Sequence, residues 1–260
     1  MSGSGPPLDV ETIRSATRDL RLGRPLLYFP TIDSTSSYVM GRAREGAPPG
    51  LLVITNEQTA GRGRIGRSWR SLPGMQLEFS LLLKPSFPSH FLVMASAVAV
   101  SEAVETAAGI SAGIKWPNDI EVDGKKVGGI LIETTSDFAV LGIGLNVNGT
   151  LADDPMLRST ATTLADAAGH PLSREMIFVE LLQRFDLRYA DLSAIGGNGA
   201  FAALHTAWRE RLVTLGRRVT VTQGGSSVSG LAEAVDAGGS LLLRRDDGSQ
   251  ATVHWGDVSS

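Results

Sequence analysis

Apolar positions along this chain fall into two textures, short unbroken runs and longer periodic stretches. The runs at residues 26–29 and 51–56 predict strands, the first ended by Pro30, and residues 76–83 predict the next strand, closed by Pro85. The run at 51–56 shows no polar alternation, which predicts a strand in the interior of a sheet. Residues 114–116 and 120–122 predict two more strands, joined through Pro117-Asn118-Asp119. Asp123-Gly124 then reads as a hairpin turn, with returning strands at 126–133 and 139–148. Residues 91–108 are apolar all round and predict a buried helix, ended by Gly109. Weaker stripes predict helices over 9–20 (Asp9 as cap, then Val10, Ile13 and Leu20), 38–45, 163–168 and 201–211. A stronger one covers 174–189, capped by Ser173, with Ile177, Leu181, Leu182, Phe185 and Leu187 on its apolar face.

The texture changes near Leu215. Short strands at 217–222, 228–235, 240–244 and 251–255, separated by glycine turns, indicate a small β-barrel of SH3-like size. Strands in hairpins mixed with a few helices argue for an α+β class with a mixed sheet. Three parts are expected: a tail and short helix at 1–25, a main domain at 26–214 and the barrel at 215–260.

One stretch fits neither texture. Residues 61–67 hold three glycines and three arginines, and Trp69 closes the segment that Gln58 opens. Glycine allows positive φ and close approach of backbone to a ligand. Arginine brings a permanent charge and a planar fork of donors. With few apolar side chains to pack, the segment reads as a mobile loop that folds over an anion. A solvated basic turn and an RNA-binding Arg-Gly segment are the rival readings.

Composition narrows these. The 260 residues are 42% hydrophobic, ample for a core, and the formal net charge is −3. A protein that neutralises phosphate backbones usually carries a basic balance, so no nucleic-acid partner is expected. Cysteine is absent, which excludes disulfides and thiolate metal sites. No apolar run reads as long enough to span a bilayer, and residues 1–9 lack the pattern of a signal peptide. No membrane association and a cytoplasmic location are expected. Only 27 residues precede Tyr28, too few for a helix-turn-helix domain.

Three further patches carry chemistry: Lys115-Trp116-Pro117-Asn118-Asp119, the strand from Lys126 through Gly128-Gly129 to Glu133, and Gly142-Ile143-Gly144-Leu145-Asn146-Val147-Asn148. Glycines inside an apolar strand cost stability and mark close approach by a ligand or another backbone. A lysine at the mouth of such a strand suits a carboxylate or phosphate. Ser34 and Thr35 read as a helix cap, and free N–H groups at a helix start also suit a polar ligand. Trp69 and Trp116 are either packing residues or platforms for a purine.

In order and spacing, Ser34-Thr35, the 58–69 loop, Lys115 to Asp119, Lys126 to Glu133 and Gly142 to Asn146 resemble the motifs of the biotin protein ligases. The likeness runs from about Tyr28 to Val258. It departs at Ser36, where the family usually has asparagine, and in lacking the DNA-binding domain of repressor-type members. The resemblance implies a ligase-only form. Its catalytic domain would be of the class II synthetase-like biotin/lipoate ligase type, carrying a C-terminal SH3-like barrel.

The resemblance also implies a chemistry. Biotin and ATP, with Mg²⁺, would give biotinyl-5′-AMP, and a lysine of a biotin carboxyl carrier domain of a carboxylase would then take the biotin. Lys126, Arg64, Arg62 and Asp119 are the implied catalytic residues. Ser34, Thr35 and Gln58 would bond the ureido ring, with Ser36 beside them. Gly61, Gly128 and Gly129 would admit backbone to the ligand. Arg62, Arg64 and Lys126 would balance carboxylate and phosphate charge, Trp69 would stack on the adenine, and Asn118 and Asp119 would orient phosphates or Mg²⁺. Gly63, Arg67, Lys115 and Asn146 complete the implied binding set. No motif specifies the metal ligands or the acceptor, and a homodimer is compatible with the pattern. Two alternatives are a lipoate-type ligase, whose family lacks the glycine-arginine loop, and a biotin-sensing regulator without a DNA-binding domain.

Overall fold

The computed structural model describes residues 5–194 and 198–259. Short helix α1 (Val10–Ala16) is capped by Asp9, whose carboxylate accepts from the Thr12 N–H. It stops four residues short of the expected Leu20. Thr17 caps it and turns its hydroxyl back onto the Ile13 carbonyl. Strand β1 (Leu26–Phe29) leads to α2 (Thr35–Arg44). That helix starts three residues earlier than its apolar pattern suggests, because Ser34 caps it by accepting from the Ser37 N–H. Strands β2 (Leu52–Thr55) and β3 (Leu77–Leu83) follow, then α3 (His90–Ala108), closed by Gly109 in the left-handed region at φ 67°.

After α3 the chain makes a meander: β4 (Gly113–Lys115), β5 (Asp119–Val122), β6 (Lys125–Thr134) and β7 (Ala139–Leu145). Asp123 and Gly124 both take positive φ in the β5–β6 turn, as a type I′ hairpin requires. The seven strands form one mixed sheet in the order β1-β2-β3-β7-β6-β5-β4, with β1 and β2 parallel and every other pair antiparallel. All of β2 and β3 is buried, which explains the apolar run of β2, while β3 keeps Glu78 and Ser80 buried among its apolar residues. Helix α2 covers one face, while α3 and α5 (Arg174–Ser193), which follows the short α4 (Leu164–Ala168), lie toward the other.

Helix α3 overturns the expectation about apolar runs. Its 19 residues are long and apolar enough to cross a membrane by composition. Here eleven of them are buried in the core, against β4, β5, β6, α5 and α6 (Asn198–Glu210). On α5, Ile177, Phe178, Leu181, Leu182 and Phe185 are buried, and Phe178 meets Phe79 edge-on at 5.0 Å. Leu187 departs from the expected stripe and is exposed. It lies two residues beyond Phe185, about 200° round the helix and so on the opposite face.

The C-terminal unit is a five-stranded antiparallel sheet in the order β11-β10-β9-β8-β12, built from β8 (Arg218–Gln223), β9 (Ser226–Val235), β10 (Leu241–Arg244), β11 (Gln250–Val253) and β12 (Asp257–Ser259). A register shift at Leu242/Leu243 adds the bend that a small barrel needs. Strand β12 is an addition to the four strands read from sequence. Two of its three residues are only partly buried, so no apolar run announces it. The unit is tied to the main sheet by Trp116, whose indole N–H donates to the Gly239 carbonyl at 2.8 Å. Trp116 is 2% exposed and is therefore a packing residue.

Candidate active site

A cleft of about 130 Å³ opens on the face of the sheet that carries α2. Its floor is built by cross-strand register. Ser80 faces Gly142 and Glu78 faces Gly144, while Gly142 pairs with Leu131 and Gly144 with Gly129. A Cβ on Gly144 would fall 2.6 Å from the Trp69 ring, and one on Gly142 would fall 2.6 Å from Ser36 Oγ. Only glycine leaves that space. The glycines of the third motif are thus the bottom of a cleft, and Trp69 lies on it.

At one end a hydroxyl and amide cluster closes the cleft. The Thr35 N–H and Oγ1 donate to Gln58 Oε1 at 2.9 and 3.1 Å. Ser80 Oγ lies 2.8 Å from Thr35 Oγ1 and 2.9 Å from Ser36 Oγ. Ser36 therefore joins a hydroxyl pair where an asparagine was expected. Ser34 is spent on the helix cap and does not line the cleft.

At the other end the lining is charged. Lys126 Nζ donates to Asp119 Oδ1 at 2.6 Å, and Asn118 donates to the Ile130 carbonyl at 2.7 Å. The loop after Gln58 is a tight hairpin: Trp69 N–H donates to the Gly61 carbonyl and Gly63 N–H to the Arg67 carbonyl. Ile65, at its tip, has φ 55° and is 58% exposed. A β-branched residue in that region costs on the order of 1–3 kcal/mol, so the tip stores strain.

Each loop arginine has a protein acceptor. Arg62 is bidentate on Glu133, at 2.7 and 3.2 Å. Arg64 donates to Asn118 Oδ1, and burial pulls its pKa down against the pull of Asp257 and Asp119. Arg67 pairs with Asp257 of β12 at 2.5 Å.

Thr35, Ser36, Gln58, Arg62, Gly63, Arg64, Arg67, Trp69, Asn118, Asp119, Lys126 and Gly129 all meet at this cleft. Other expected residues stand elsewhere. A Cβ on Gly61 would strike the Trp69 carbonyl at 2.8 Å, and one on Gly128 the Leu145 side chain at 2.9 Å, so both serve backbone packing. Lys115 pairs with Glu121 at 3.3 Å and lines an adjoining cleft. Asn146 is buried and spent, accepting from Gln76 Nε2 and donating to the Thr162 carbonyl. Sequence reading missed Ser80, Glu78, Glu133 and Asp257. A signal existed for the first two: Gln76, Glu78 and Ser80 alternate with apolar residues in β3 and mark its cleft face.

Comparison with known proteins follows this geometry. Residues 28–148 match the biotin/lipoate A/B protein ligase family, and residues 214–259 match the biotin protein ligase C-terminal domain. The biotin–[acetyl-CoA-carboxylase] ligase of Mycobacterium tuberculosis is 34% identical over 264 residues, covering 97% of this chain and 96% of that protein. The bifunctional ligase/repressor BirA of Bacillus subtilis is 35% identical over 250 residues, covering 93% of this chain and 76% of the relative. Among solved structures, the biotin protein ligase from Aquifex aeolicus in complex with biotin and ATP aligns with a TM-score of 0.77 at 28% identity, covering 91% of this chain and 98% of that one. The chain spans nearly the whole of a ligase and three quarters of a ligase/repressor, and it belongs to the biotin protein ligase family.

Proposed function

We propose that this chain activates biotin with ATP and transfers it to a lysine of a biotin carboxyl carrier domain. The observation that carries this reading is the cleft itself: a neutral hydroxyl–amide end and a cationic end, joined by a glycine floor. The neutral end, Thr35, Ser36 and Gln58, suits the ureido ring. The cationic end, Lys126, Arg62 and Arg64, suits the carboxylate and the phosphates. A biotin carboxylate oxygen attacks the α-phosphorus of ATP, a new P–O bond forms and pyrophosphate leaves. Fixed cations aimed at the developing charge are the largest source of rate in such transfers.

In the second step a neutral lysine amine attacks the acyl carbon of the adenylate. AMP departs with the bonding electrons, and the nitrogen gives up a proton. An apolar cavity of about 210 Å³, lined in part by Met94, Pro117, Ile132 and Trp208, adjoins Arg64 and Asn118 and offers that amine a dry approach. Loop closure protects the adenylate from water. Trp69, lying over Gly144 and Gly129, would wall the acyl chain or the adenine.

The donor set fits Mg²⁺ as a partner of the nucleotide. Among the described residues no group of three or more carboxylates and imidazoles gathers. Asp119 is the carboxylate in the cleft, and Mg²⁺ is commonly held by one or two carboxylates plus phosphate oxygens. Bound there, it would neutralise phosphate charge. An ATP-dependent, cysteine-free protein of net charge −3 fits the cytoplasm and carries no basic surplus for nucleic acid.

The test is pyrophosphate release from ATP with biotin and then with lipoate, followed by labelling of a carrier domain. Biotin-dependent release and transfer are expected. Release with lipoate alone would favour the lipoate ligases, and biotin binding without release would favour a sensor.

A further inference from the structure

Glu78 is the most deeply buried acid at the cleft, at 0% exposure, and no part of the chemistry above uses it. It stands in β3 directly across from Gly144, where the Trp69 ring rests. One donor from the C-terminal root of the glycine-arginine loop reaches its carboxyl. Ser71 Oγ donates to Oε2 at 2.6 Å. The Trp69 indole N–H donates instead to Gln76 Oε1, at 3.3 Å. The other oxygen of Glu78, Oε1, has no hydrogen-bond partner.

The consequence lies in Gln58. Its Oε1 is taken by two bonds from Thr35, so its side chain is set by where the loop root holds its backbone. The backbone N–H of Gln58 reaches the same carboxyl through Ser71 Oγ, at 3.2 Å. Ser71 thus donates to the carboxyl and accepts from the Gln58 backbone, and so ties the two loop roots to each other and to the sheet.

We propose that Glu78 is a positioning residue of the biotin subsite: its ionised carboxyl holds Ser71 and, through it, the Gln58 root of the loop, so that biotin is held more tightly when Glu78 carries its charge. The inference rests on the reading of Thr35 and Gln58 as the biotin end of the cleft. An ionised carboxylate accepts from the Ser71 hydroxyl and leaves Ser71 Oγ to accept from the Gln58 N–H. A protonated one can donate to Ser71 Oγ instead, and the bond from Gln58 weakens.

Burial pushes the Glu78 pKa up to about 7, against the pull of Ser71, Gln58 and Trp69, so the change falls in an accessible range. The charged groups turned toward it are few. Arg174 of α5 feels its charge but is held by Asn56, the Gln76 carbonyl and the Pro6 carbonyl. Tyr28 of β1 acts on Arg174 from the far side. The neighbouring histidines, His90 and His254, line the apolar cavity beyond Arg64. Biotin's own carboxyl titrates far lower, near the range of glutamate.

The experiment is calorimetric titration of biotin onto the intact protein from pH 6 to 8.5, for the parent and for Glu78→Gln. Circular dichroism confirms that the variant is folded. The parent Kd should tighten roughly tenfold across the interval, the change one linked proton allows over about a pH unit. Glu78→Gln should give a flat profile and bind about tenfold more weakly than the parent at pH 8. Should the amide variant not fold, Glu78→Asp, which keeps the charge but shortens the reach, should retain the slope with a weaker Kd. A flat parent profile, or a slope that survives in Glu78→Gln, overturns the proposal and leaves the biotin reading standing. Absence of biotin binding at every pH overturns both.

Discussion

At the scale of single residues, charge placement matters more than packing. Lys126 is one-third exposed and paired with Asp119, so it adds little to the fold. Lys126→Ala should leave unfolding unchanged while adenylate formation falls by roughly 2–4 kcal/mol in activation free energy, the usual loss for one contact to a developing anion. Urea unfolding reads the first quantity and single-turnover pyrophosphate release the second. Glu78 gives the opposite pairing. Its folded pKa, about 7, lies above the ordinary glutamate value of 4.5. The folded state therefore prefers the proton, and the stability this confers is complete below about 4.5 and lost as pH rises through about 7. At roughly 1.4 kcal/mol per pKa unit, the loss at pH 8 is on the order of 3 kcal/mol. Glu78→Gln should remove most of that dependence, seen as nearly equal urea midpoints at pH 5 and pH 8 where the parent's differ.

At the scale of elements, the glycine-arginine loop is held by its roots and by its arginines, with a strained tip between. A Gly144→Ala change places a methyl where the Trp69 ring lies, at 2.6 Å. The strand itself is unaffected, so the ring must lift and take the loop with it. Trypsin should then cut at Arg62, Arg64 or Arg67 at the same rate with and without biotin and ATP, whereas ligands should protect the parent. Arg64→Gly acts differently. It removes the charge that reaches Asn118 and adds backbone freedom beside Ile65, but it leaves Lys126 in place. Adenylate should still form and then escape, and free adenylate acylates exposed lysines. Biotin incorporation into serum albumin should rise well above the parent's, and no increase with adenylate still forming would show that Arg64 is not the latch.

At the scale of the whole molecule, the C-terminal barrel reaches the cleft through one exposed ion pair. Arg67 and Asp257 are each about half exposed, so their pair is worth only about 0–1 kcal/mol of stability. Its importance is positional, because it joins the glycine-arginine loop to a strand 190 residues away in sequence. Asp257→Ala should leave the melting temperature within a few degrees of the parent's. It should slow transfer to a carrier domain more than it slows adenylate formation, because the loop loses its contact with the barrel. Equal effects on the two steps would show that the barrel has no separate part in transfer.

The chain's local patterns determined most of its elements. An unbroken apolar run became the buried strand β2, Asp123-Gly124 became the turn, Gly109 ended α3, and five spaced motifs pointed to one cleft. These features depend on neighbours a few residues apart, so periodicity and turn chemistry carry them. Tertiary structure decided what each polar side chain is for. Asn146 and Lys115 belong to motif segments, yet their hydrogen-bonding groups are spent on Gln76, Thr162 and Glu121. Glu78 belongs to no motif, yet it sits under the loop. A side chain's partners come from strands and helices far away in sequence, and pairing register selects them. A sequence shows which residues can donate, accept or carry charge, but only the fold determines which of them are already satisfied and which remain for a ligand.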